Sequence, residues 1–85
     1  MRELTYEDLM EIIRRCAGES DEMAQTTDAR DIPFAELGYD SLALMETASM
    51  LQRDYGVELP DETVVDIDTP RALVELVNSR LGSAV

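Results

Sequence analysis

Apolar residues fall at helical spacing in three stretches of this chain. Leu9, Ile12, Ile13 and Cys16 follow an i, i+3, i+4, i+7 stripe, which predicts a first helix over Leu4–Ala17. Thr5 is its expected N-cap, with Asp8 three residues on in place of the usual Glu of a capping box. Gly18 ends it, and Arg14 and Arg15 suit the negative end of the helix dipole. A second helix is predicted over Ser41–Tyr55: at about 100° per residue, Leu44, Ala48, Leu51 and Tyr55 share one narrow sector aimed at a core. A fourth helix starts with Thr69 as cap and Pro70 in the first position, a favoured placement. Leu73, Leu76, Val77 and Leu81 form its stripe, and fraying is expected after Gly82.

The connections are patterned differently. Glu19 to Glu36 holds no helical or strand period and reads as a long loop. Ile32, Phe34 and Leu37 are apolar anchors able to fasten it across the helices after a turn fixed by Pro33. Gly56 ends the second helix, Val57–Pro60 is extended, and Asp61 caps a short third helix over Glu62–Asp66, too brief to hold without packing. The expected fold is all-α: a small antiparallel bundle of three main helices and one short helix, with a long first loop, forming one domain over residues 1–85.

Not every apolar side chain of the second helix belongs to its inner sector. Leu42 and Met45 project about 100° to 160° from the sector's centre, on the side of Glu46, Ser49 and Arg53. Isolated surface apolars are ordinary. Two large ones beside an acid also fit a face that meets a partner.

Composition narrows the chemistry. Eighty-five residues bury only a little over about 60 % of their unfolded surface, which makes a deep enzyme cleft unexpected. No run of about 18 apolar residues is present to span a membrane, and the N-terminus lacks the basic and apolar regions of a signal peptide, predicting the cytoplasm. Cys16 is the single cysteine, so it makes no internal disulfide and is expected in the core. The absence of histidine removes the usual general base and the commonest metal ligand. The acids Glu58, Asp61, Glu62, Asp66 and Asp68 lack the order of a calcium loop, and no metal site is predicted. Nineteen acids against seven bases give a formal net charge of −12. Such a surface repels nucleic acid and anionic membrane and is steered towards basic protein patches, though acidity also simply keeps a small domain soluble.

One junction concentrates the remaining signal. In Leu37-Gly38-Tyr39-Asp40-Ser41-Leu42, Gly38 permits a tight turn, Asp40 is a good N-cap, and Ser41 falls in the first helical turn, where an attached anion is favoured by the dipole. A Ser or Asp at a helix start ordinarily only caps it. The surroundings are not a Gly-x-Ser-x-Gly elbow, since Gly38 lies three residues before Ser41 and Ala43 two after.

The run Phe34 to Leu42, with its Asp-Ser-Leu core, resembles the phosphopantetheine-attachment motif of acyl carrier proteins. The similarity extends to Tyr55–Asp61 and Asp68–Arg71, and Gly38–Thr47 is most like the free-standing carriers of bacterial aromatic (type II) polyketide synthases. The resemblance implies a 4′-phosphopantetheine arm, derived from coenzyme A, on Ser41, carrying the growing polyketide and malonyl units as thioesters; the protein would be a carrier, not a catalyst. It implies partner docking through Asp40, Leu42, Met45 and Glu46. The expected partners are a ketosynthase with its chain-length factor, a malonyl transferase, a phosphopantetheinyl transferase, a ketoreductase and cyclases, met by a monomer. A cargo cleft is expected between the second helix and the later ones, from Leu44, Val64 or Val65, and Leu73, with Arg71 at its mouth. A fatty-acid carrier is the alternative within the class, against which Thr47, Ser49 and Gln52 leave the second helix less acidic than such carriers usually are. An unmodified acidic interaction bundle is the alternative outside it.

Overall fold

The computed structural model describes residues 3–18 and 28–83. Four helices are found there: α1 (Tyr6–Ala17), α2 (Ser41–Tyr55), α3 (Asp61–Val64) and α4 (Pro70–Ser83). α1 packs against α2 and α4, and α2 also meets α3, giving the expected all-α bundle. No strand occurs among the described residues.

α1 starts two residues later than its predicted Leu4, because Thr5 is the cap: its hydroxyl accepts the Asp8 N–H at 3.1 Å. Leu4 instead precedes the cap and is buried, as is Leu9, the N′ and N4 positions of a hydrophobic staple. The Asn78 side chain on α4 fixes this entry from both sides. It accepts the Leu4 N–H at 2.8 Å and donates to the Leu4 carbonyl at 3.0 Å. Met10 joins Ile12 and Ile13 in the core, whereas Cys16 is half-buried against it.

On α2, Leu44, Ala48 and Leu51 are buried and Tyr55 packs against them half-buried. Thr47 is buried as well, with 1 % of its surface exposed. It lies on the flank of the same sector, and its hydroxyl donates to the Ala43 carbonyl at 2.9 Å, so its own helix satisfies the polar group that burial removes from water. In α4, Leu73 and Val77 are core while Leu76 and Leu81 are half-buried. Thr69 caps it as expected, accepting the Ala72 N–H at 3.2 Å. The fraying expected after Gly82 is not found at Ser83, which the helix still includes; the two residues beyond it lie outside those described.

The short helix differs from its prediction. It covers Asp61–Val64, with Pro60 at the cap position and no side-chain cap, so Asp61 is its first residue rather than its cap. Glu62–Asp66 was too late by one residue at the start and two at the end.

Of the predicted loop, 19–27 lie outside the described residues, and the remainder is not structureless. Pro33 opens a single helical turn in which its carbonyl accepts the Glu36 and Leu37 N–H groups. The turn closes as a Schellman motif: Gly38 N–H donates to Ala35 O and Tyr39 N–H to Phe34 O. Gly38 has φ of 87°, in the left-handed region that a glycine enters without the steric cost of a Cβ. Phe34, Leu37 and Tyr39 are all buried, and the Tyr39 hydroxyl donates to the Gly18 carbonyl at 3.2 Å. The apolar anchors thus tie the loop into the core, with Ile32 half-buried beside them.

Candidate functional site

The turn delivers the chain into α2 with Asp40 in an extended conformation (φ −90°, ψ −178°) and its carboxylate accepting the Ala43 N–H at 2.9 Å. Ser41 is consequently the first helical residue, exposed, at the positive end of the helix dipole. Ser41 borders a cleft of about 210 Å³ whose lining is mostly apolar: Phe34, Tyr39, Leu44, Val65 and Ile67 are the larger side chains, and Asp40 and Asp68 are its acids. Loop, α2 and the α3–α4 connection each supply one side.

The structure brings together some of the predicted site residues and separates others. Ser41, Asp40, Leu44 and Val65 line one cleft. Val65, not Val64, is the one at the surface: Val65 is 52 % exposed and Val64 is buried. Leu73 and Arg71 do not line that cleft. Leu73 points from α4 into the core and is buried. Arg71 borders a separate cleft of about 380 Å³ with Tyr6, Arg30 and Val74, and its guanidinium is held by Asp31, through Nε at 2.7 Å and Nη2 at 3.1 Å. These hydrogen bonds hold the Asp31 carboxyl below its ordinary range and raise Arg71 above its own.

On the outer side of α2, Leu42 is 63 % exposed and Glu46 is exposed. Met45 is only half-buried rather than on the open face assigned to it, because its position flanks the stripe instead of opposing it. Sequence reasoning missed Asp31 entirely, and the core roles of Tyr39 and Thr47. Tyr39 sits inside the motif and carried an aromatic signal; Asp31 is one acid among many, and nothing local marks its partner 40 residues away.

Among the described residues no group of three or more metal-ligating side chains assembles, and no helix is long and apolar enough to cross a membrane. Ser41 is exposed at a helix start in a chain without histidine, so the Ser-His pairing of a hydrolase is not available to it.

The family model described as the phosphopantetheine attachment site matches residues 7–77. The chain is 47 % identical over 81 residues to the oxytetracycline polyketide synthase acyl carrier protein of Streptomyces rimosus, a match that covers 95 % of this chain and 85 % of that one. It is 48 % identical over 84 residues to the granaticin polyketide synthase acyl carrier protein of Streptomyces violaceoruber, covering 99 % of both. The solved structure of the actinorhodin holo acyl carrier protein from S. coelicolor superposes with a TM-score of 0.85 at 44 % identity, covering 99 % of this chain and 98 % of that one.

Proposed function

The chain belongs to the phosphopantetheine-attachment family, among the acyl carrier proteins of type II polyketide synthases, and from that premise we propose that Ser41 bears the 4′-phosphopantetheine arm. The observation that carries this reading is the exposed Ser41 at the capped start of α2, lining a mostly apolar cleft. When bound, the arm supplies a terminal thiol on which malonyl units and the growing polyketide ride as thioesters. A flexible arm on a rigid helix end gives that terminus a high effective concentration at successive active sites.

The chain's own residues supply the platform. Asp40 keeps the first turn of α2 formed and adds a charge that the modifying transferase can read. Leu42 offers an exposed apolar contact, with Met45 partly and Glu46 fully accessible behind it. The acidic surface steers encounters with basic rims on the ketosynthase and chain-length factor, the malonyl transferase, the phosphopantetheinyl transferase, the ketoreductase and the cyclases. Leu44 and Val65 give the arm's cargo a place to rest. The protein acts in the cytoplasm as a monomeric carrier and leaves the chemistry to its partners.

Incubation with coenzyme A and a phosphopantetheinyl transferase, followed by intact-mass measurement, tests the reading. The wild type should gain the arm's mass and Ser41→Ala should not. Modification of the alanine variant, or none of the wild type, would overturn it.

A further inference from the structure

Three links tie the loop to the segment leading into α4 and to the first turn of that helix. Phe34 N–H donates to the Asp68 carbonyl at 2.7 Å, Arg71 N–H donates to the Arg30 carbonyl at 2.9 Å, and the Arg71 side chain grips Asp31 with two nitrogens. Within this patch Arg71 is held twice, by its backbone and by its guanidinium, and both bonds pull on neighbouring loop residues. Pro33, Phe34 and Ala35 on one strand of this clasp, and Ile67 and Asp68 on the other, all line the Ser41 cleft. Arg30 and Arg71 line the second cleft, so the clasp's residues border both.

We propose that Asp31 is a positioning residue for the cargo of the Ser41 arm: by holding Arg71 against Arg30 it keeps the loop wall of the Ser41 cleft in place and sets how much of an acyl chain the cleft admits. An isolated exposed ion pair does little for global stability, which makes the expected effect local. A bidentate guanidinium–carboxylate pair adds geometric definition that a single contact lacks. The cleft is small, about 210 Å³, so a modest shift of one wall changes a large fraction of it. Arg71 acts through Asp31 here and does not touch the cargo, since it does not line the cleft beside Ser41.

The cargo half of the proposal rests on Ser41 bearing the arm; the clasp half does not. Residue-resolved amide hydrogen exchange on the unmodified protein comes first. Asp31→Asn should speed exchange at Phe34 and Arg71 several-fold, leave Leu51 and Val77 unchanged, and be rescued in part by Asp31→Glu. Uniform acceleration, or none at Phe34 and Arg71, overturns the clasp. Holo protein loaded with an octanoyl thioester then reports on cargo. The shifts of the Val65 and Ile67 amides relative to the bare arm should differ between wild type and Asp31→Asn and return towards wild type in Asp31→Glu, with loading at Ser41 equal in all three. Identical cargo shifts in wild type and Asp31→Asn overturn the positioning role. Failure of the wild type to take the arm would overturn the Ser41 assignment instead, and the exchange comparison would still decide the clasp.

Discussion

The Phe34 backbone N–H donates to the Asp68 carbonyl at 2.7 Å, joining two walls of the Ser41 cleft, while the Phe34 side chain is 98 % removed from solvent, with 2 % exposed. One residue therefore anchors the loop to the core and shapes the site. Phe34→Ala should cost about 3–5 kcal/mol through lost transfer energy and a residual cavity. Against a total of about 5–15 kcal/mol for a native domain, that is a large fall in the urea midpoint. A loss under about 1 kcal/mol, within the range of ordinary surface changes, would show that the loop is not part of the cooperative core.

Asp40 has two separable contributions. Asp40→Ala removes the acceptor for the Ala43 N–H and should cost about 1 kcal/mol, read by thermal or urea unfolding. Asp40→Asn keeps a good cap and deletes only the charge, so its stability should stay near wild type while transfer of the arm slows. Equal transfer rates for Asn and wild type would confine Asp40 to capping.

For docking, Leu42 is the cleaner apolar probe, because it is 63 % exposed whereas Met45 is half-buried and an acid there would disturb packing. Leu42→Asp and Glu46→Lys should slow malonyl loading with little change in the thermal midpoint. The Glu46→Lys effect should shrink as salt is added, since rim charges act through steered association. Normal partner kinetics with a lowered midpoint would place these side chains in the fold rather than the interface.

The Asp31–Arg71 pair carries a pH signature. Arg71 lowers the Asp31 carboxyl in the folded protein, so the pair's contribution is present above the unfolded carboxylate value and is lost as pH falls through the lower folded value. Carboxyl NMR should find Asp31 titrating below an ordinary Asp, and Arg71→Gln should return it to that range. An unchanged titration in the variant would show that the pair does not form in solution.

Much of the site was legible because it is local. Asp40 caps the residue three places on, Gly38 supplies the positive φ that closes its own turn, and Ser41 follows from both. The motif therefore locates the helix start without reference to the rest of the fold. Arg71 and Leu73 were misplaced because stripe and adjacency say which residues are near one another along a helix, not which cleft its flank borders. The α3 boundaries shifted for a related reason: four residues hold too little intrinsic helicity to choose their own ends, and the packing of Val64 chooses for them.

The amino-acid pattern by itself determined the all-α class, the caps at Thr5, Asp40 and Thr69, the inner sector of α2 and the attachment motif, since each depends on neighbours within a few residues. Only the tertiary structure decided that Thr47 and Tyr39 are buried, that Val65 faces the cleft and Arg71 turns to Asp31, and that Asn78 seals the entry of α1. Those outcomes rest on partners 21 to 74 residues distant or on how helices pack, and hydrogen bonds and burial across such separations exist only once the chain has closed.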